Sequence, residues 1–176
     1  FMGRIESGLL KVNDKIKVLP SGYESKVIEI RVGDELINEA IPEQSVTVSL
    51  SDEIDISRGD MLVHQNDSIN AVKGFSAMVC WFAEVPLSLS RTYLIMHTTR
   101  ISKVKITQIH HKINIQSLEM EKAETLKTND IAQLSFKLAQ PLIVDSYDEN
   151  RSTGAFIIID ESTYHTVGAG MIQSIA

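Results

Sequence analysis

Polar and apolar residues alternate through most of this chain, and a period of two commits a sequence to strands. Ser45-Val46-Thr47-Val48-Ser49-Leu50 alternates at every position, and Lys26-Val27-Ile28-Glu29-Ile30-Arg31-Val32 nearly so. Lys15-Ile16-Lys17-Val18-Leu19 and Lys103-Val104-Lys105-Ile106-Thr107-Gln108-Ile109 repeat the pattern. One dry face and one wet face is what a half-buried antiparallel strand needs. Turn residues separate these runs at Val12-Asn13-Asp14, Pro20-Ser21-Gly22 and Gly33-Asp34. Short strands at such spacing predict an all-β fold built of barrels, whose closure removes exposed edges.

A polar stretch without periodicity, His64-Gln65-Asn66-Asp67-Ser68-Ile69-Asn70, divides the chain. The expectation is two small antiparallel barrels in tandem, residues 1–66 and 70–176. In the second half the spacing predicts strands over Gly74–Phe82, Thr92–His97, Ser102–Ile115, Ile131–Leu138, Gly154–Asp160 and His165–Ile172. Leu118–Leu126 reads as one helical turn or a loop, because its helix formers lead into nothing long. Trp81 and Phe82 are neighbours on a strand, so only one of them faces outward.

Of the 176 residues, 43% are hydrophobic, enough for buried cores, and no run of about eighteen apolar residues suggests a membrane span. The net charge of −6 disfavours nonspecific binding to a phosphate backbone. One cysteine, Cys80, makes an internal disulfide impossible, and its apolar neighbours predict a buried thiol. The cytoplasm is the expected compartment.

Chemistry-bearing motifs are sparse. No Gly-x-x-x-x-Gly-Lys-Ser/Thr occurs, so the chain has no phosphate-binding loop of that type. No Gly-x-Ser-x-Gly supports a nucleophilic serine. His110 and His111 are adjacent on a predicted strand and point to opposite faces, a poor start for a metal site. Asp52, Glu53, Asp55 and Asp60 lack the spacing of a calcium loop and read as a solvated or partner-facing loop. Arg58-Gly59-Asp60 matches an adhesion tripeptide, but three residues recur by chance, and a turn at Gly59 is the simpler reading. No catalytic, cofactor-binding or metal-ligating residue is expected.

Two stretches near the ends carry a resemblance. Gly3-Arg4-Ile5-Glu6-Ser7-Gly8, followed by Val12 and Asp14, resembles the opening of the second domain of elongation-factor-Tu-like GTPases. Asn13 stands where those proteins usually have a second glycine, and asparagine tolerates the same left-handed backbone. Ile54–Val63, with Arg58-Gly59-Asp60 inside it, is similar to the segment closing that domain. Thr166-Val167-Gly168-Ala169-Gly170-Met171-Ile172 is similar to the last strand of their third domain. Within that superfamily, Met78–Leu87, Asn129-Asp130-Ile131-Ala132, Pro141–Tyr147 and Asn150–Asp160 most resemble the large, GTP-hydrolysing subunit of bacterial sulfate adenylyltransferase.

The resemblance implies a translation-factor domain 2-like barrel followed by an elongation-factor-Tu C-terminal-like barrel, a piece of a longer protein. GTP and Mg would be bound by a GTPase domain that this piece lacks, and the fragment alone would be inactive. The parent joins ATP and sulfate into adenylyl sulfate and pyrophosphate, coupled to GTP hydrolysis, with a separate small subunit carrying the adenylyl-transfer site. The barrels would dock on that GTPase domain and on the small subunit. Arg4, Glu6, Asp55, Arg58 and Asp60 are the interface candidates, being charged and at the matched turns. The alternative is a pair of translation-factor barrels that bind aminoacyl-tRNA, which would require a basic groove.

Overall fold

A computed structural model describes residues 1–69 and 71–175, and among these every regular element is a strand. The chain divides into two compact units, Phe1–Asn70 and Ala71–Ala176.

The first unit contains β1 (Met2–Arg4), β2 (Leu10–Lys11), β3 (Lys15–Leu19), β4 (Glu24–Val32), β5 (Glu35–Ile37), β6 (Glu39–Ala40), β7 (Ser45–Leu50) and β8 (Met61–His64). Its main sheet runs β1-β7-β4-β3-β8, with β5 beside β4, while β2 and β6 form a separate pair. β4 bends the sheet into a barrel. Lys26 and its predecessors pair with β3, whereas Val27 onward pair with β7, and the register slips between Val27 and Glu29. Ile28 is therefore the extra residue of a bulge, which lets one strand serve two sheet directions. Ile16, Val18, Val27, Ile30, Val46 and Val48 form the core, and Ile5 and Leu62 pack against it from opposite ends of the strand path. The turn after β2 has Asn13 at φ 79°, the left-handed residue expected there.

The second unit contains β9 (Val72–Trp81), β10 (Thr92–His97), β11 (Arg100–Ile113), β12 (Met120–Glu121), β13 (Ile131–Leu142), β14 (Ala155–Asp160) and β15 (Thr166–Ile175). The order β10-β14-β15-β9-β13-β11 returns to β10 through a β10–β11 ladder, so six antiparallel strands close into a ring. β12 hangs on the end of β11. The Leu118–Leu126 stretch makes no helical turn: the chain reverses at Leu118 and enters β12.

Aromatic rings fill this barrel. Phe75, Phe136 and Phe156 form a triangle with centroids 5.2 to 5.3 Å apart, and Trp81 meets Tyr93 edge-on at 5.7 Å. Trp81 is buried and Phe82 is exposed, the split that alternation requires. The glycines of Gly168-Ala169-Gly170 now have a reason. A methyl group at Gly170 would lie 2.3 Å from Cζ of Phe156, whose ring is held by its two partners. Gly170→Ala is expected to destabilise the fold by about 1–3 kcal/mol through overpacking. Gly3→Ala, where the new methyl meets nothing within 4 Å, should be near neutral. Denaturant midpoints check this, and equal midpoints for the two variants would refute the packing argument.

Two buried ionisable groups give the barrel an acid response. His97 Nε2 lies 2.6 Å from the Thr153 carbonyl, which accepts its proton. Burial holds its pKa below the ordinary 6.5. Unfolding then takes up a proton, so this contribution is complete above 6.5 and is lost as the pH falls below it. Asp160, at the end of β14, accepts hydrogen bonds from Ser162 and Thr163 and pairs with Arg91 at 3.2 Å. The Ser162 hydroxyl is the largest cause of a pKa lowered from 3.8 to about 2. That stabilisation, about 2 kcal/mol, is present above 3.8 and fades as the pH falls toward 2. Asp160→Asn is expected to flatten the stability curve below pH 3.8, read from urea midpoints against pH. An unchanged slope there would contradict the assignment.

Candidate docking face

Alternation that fills the barrel with one set of side chains sends the other set outward, and on four neighbouring strands the middle of that outward set is apolar. β14 turns Ala155, Ile157 and Ile159 away from the core. β10 contributes Leu94 and Met96, β15 contributes Ala169 and Met171, and β9 contributes Met78 and Cys80. The registers align these residues in rows. Met96 faces Ile157, Ile157 faces Ala169, Ala169 faces Cys80, and Cys80 faces Ile131 on β13. Five strands make this row about 19 Å long at normal strand spacing. A parallel row runs Ala155, Met171, Met78 and ends at Gln133, which bonds Gln173 at 3.1 Å.

A shallow groove of about 610 Å³ opens on this face, floored by Met78, Cys80, Met96, Ile157, Ala169 and Met171. Thr98 and Tyr147 supply its polar margin. Its thiol is pushed above the ordinary 9.0 by burial, so it is protonated at neutral pH and a poor nucleophile. Among the described residues no three His, Cys, Asp or Glu side chains come together as a metal site. An outward apolar shelf of this size fits another protein surface better than it fits water.

Cys80 departs from its sequence reading. Val79 and Trp81 occupy the core, and the alternation of β9 leaves the thiol half-buried on the outer face. The apolar face itself escaped the sequence reading, although a signal was available. Phe156-Ile157-Ile158-Ile159 and Ala77-Met78-Val79-Cys80-Trp81-Phe82 do not alternate. Unbroken apolar runs belong to strands covered on both faces.

The five charged residues singled out from the sequence all lie in the first unit. Arg4 is exposed on β1 opposite Ser45, and Glu6 follows half-buried before the next turn. Asp55 and Arg58 are exposed in the loop between β7 and β8. There Gly59 takes φ 95°, the Asp60 carboxylate accepts from the Ser57 amide at 2.9 Å, and the Asp60 amide returns to the Ser57 carbonyl at 3.0 Å. That turn holds Arg58 out into solvent beside Asp60. Asp52 is instead tied to its own barrel, accepting from the hydroxyls of Ser25 at 2.8 Å and Ser51 at 2.7 Å. His110 is the extra residue of a bulge between Ile109 and His111, and its ring lies 2.7 Å from the Ser135 hydroxyl.

The ring of strands and its glycine-bearing last strand match a known type. Residues 74–173 fit the family described as GTP-eEF1A C-terminal domain-like. The chain belongs to that family. It is 44% identical to sulfate adenylyltransferase subunit 1 of Shewanella woodyi over 174 residues, which is 99% of this chain and 37% of that protein. The subunit 1 proteins of Saccharophagus degradans and Bacteroides fragilis are 41% and 39% identical over 172 residues, covering 98% of this chain and 36% of each. The chain thus spans little more than a third of the length of these relatives. The crystal structure of sup35 complexed with GDP superposes with a TM-score of 0.90 at 19% identity, over 99% of this chain and 43% of that one, a likeness of fold alone.

This GTP-eEF1A C-terminal-like barrel makes a prediction for its one thiol. Native-state labelling of Cys80 with a thiol reagent should proceed without global unfolding, at a rate still rising with pH above the ordinary 9.0. A rate that tracks global unfolding would place the thiol inside.

Proposed function

We propose that this chain forms the two barrels of the large subunit of a sulfate adenylyltransferase and works as its docking module. The supporting observation is identity of 44% that runs across 99% of the chain, and so through both units. The parent reaction joins ATP and sulfate into adenylyl sulfate and pyrophosphate, an uphill step drawn forward by GTP hydrolysis elsewhere in the protein. The barrels supply no reacting group. They seat the GTPase domain, contact the small adenylyltransferase subunit, and carry the nucleotide-driven change as a rigid-body shift. The cytoplasm is the compartment this reading implies.

The two candidate surfaces suit different tasks. The apolar row from Met96 to Ile131 suits the lasting contact with the GTPase domain, since apolar area is what obligate interfaces bury. Arg4, Glu6, Asp55, Arg58 and Asp60 suit a contact that forms and breaks, since exposed charges set association rate and register. The net charge of −6 argues against the aminoacyl-tRNA reading.

The test is calorimetric titration of the chain with the small subunit of the same organism, with and without the GTPase domain. Saturable binding supports the proposal, and no heat in either arm refutes it. Arg58→Glu is expected to weaken binding about 3–10-fold, mainly through association rate, with a loss that shrinks at high salt. Ile157→Lys, on the outer face, should leave the melting temperature within a few degrees yet abolish pairing with a separately expressed GTPase domain.

A further inference from the structure

The hairpin from β11 into β12 carries three large apolar side chains that the fold does not use, two in its turn and one at the start of β12. Ile115, Leu118 and Met120 are 67%, 78% and 73% exposed. They do not sit on a loose loop. The Asn114 side-chain oxygen accepts from the amides of Gln116 at 2.9 Å and Ser117 at 3.2 Å, and its side-chain nitrogen donates to Glu121 at 2.8 Å. Its carbonyl accepts from the Leu118 amide at 2.7 Å, and its own amide donates to the Glu119 carbonyl at 2.9 Å. One asparagine thus ties the turn at five points.

Leu118 is held at φ 61°, a left-handed conformation that strains a residue with a branched side chain. The other left-handed non-glycines among the described residues are Asn13, Glu43, Thr98, Asn129 and Tyr164, none of them aliphatic. Glycine at 118 would relieve the strain, and a polar residue would suit the exposure. A leucine there is disfavoured by both the backbone and the solvent, so its use lies outside this chain.

We propose that Ile115, Leu118 and Met120 form an anchor that enters an apolar pocket with a basic rim on the small adenylyltransferase subunit. The proposal rests on the functional reading above and names the partner-contact point it leaves open. Charge selects the occupant. Between Lys112 and Glu124 the chain carries Glu119, Glu121 and Glu124 against Lys112 and Lys122, and Lys112 lies 3.5 Å from Glu121, so the border keeps an excess of one negative charge. Such a border is repelled by anionic lipid and by nucleic acid. It complements lysines or arginines around a protein pocket. A rigid turn also spends little ordering entropy on binding, which suits a small anchor.

Titrating the small subunit with the chain and two variants tests this. Leu118→Gly removes the side chain and relieves the φ. It should raise the melting temperature while weakening binding at least 10-fold. Leu118→Asp, whose side chain tolerates left-handed backbone, should weaken binding at least as much with little change in melting temperature. Leu118→Met should stay within about 3-fold of the parent, because it keeps an apolar side chain of similar volume. Parent-like affinity of Leu118→Gly and Leu118→Asp would overturn the anchor and leave the family reading standing. Absence of binding by the parent chain would overturn both. Leu118-dependent co-sedimentation with phosphatidylcholine–phosphatidylglycerol vesicles would also overturn it, by assigning the tip to a membrane.

Discussion

The ladder between β10 and β11 is the constraint on which the second unit depends. Six residue pairs, from Thr92 opposite Lys105 to His97 opposite Arg100, join the first and last strands of the path and turn a sheet into a ring. Without that seam, two long strands would present unpaired amides and carbonyls to any passing edge. With it, the interior becomes a fixed volume that three phenylalanines, Trp81 and Tyr93 must share. The bare backbone of Gly170 follows from that crowding, as does the burial of His97 against the Thr153 carbonyl.

Closure also divides the labour of the side chains. Every second residue is committed to the core, and the remaining ones are free to serve something else. On β11 the free set is mostly polar, with Lys103, Lys105 and Thr107 in water beside an exposed Ile101. On β9, β10, β14 and β15 it is apolar over the central stretch, and there the barrel carries a second dry surface that its own fold does not fill. The first unit differs. Its strand path is bent at Ile28 and held by core packing, and its exposed loops mix charged residues with apolar ones such as Leu9, Tyr23 and Ile41. A scaffold with one apolar face and one charged set of turns has the makings of a docking module.

Much of this was legible in the sequence, for a physical reason. Alternation reports one-sided burial, so Lys15–Leu19 and Ser45–Leu50 appear as strands at the expected residues. Asn13 was readable as a left-handed turn because few side chains tolerate that backbone. Long-range placement was not readable. Nothing local marks Ile28 as a bulge, since its role depends on β3 and β7 lying on either side of β4. The orientation of Cys80 was lost in an apolar run that hides its own period. Helix formers over Leu118–Glu124 left a helical turn or a loop open, and the pairing of Met120 and Glu121 with Ile113 and Lys112, invisible locally, makes the chain extended there. Which charged residues meet a partner depends on a surface that the chain does not contain.

Methionine oxidation offers the most direct test, because four thioethers report on the two surfaces. Met78, Met96 and Met171 line the outer groove, and Met120 sits on the hairpin tip. Hydroxyl-radical footprinting of the free chain and of the same barrels in the assembled two-subunit enzyme compares their reactivity. If the barrels are the docking module of a sulfate adenylyltransferase, all four are strongly protected on assembly. Oxidation of Met171 and Met120 at the free-chain rate within the assembled enzyme would contradict the account.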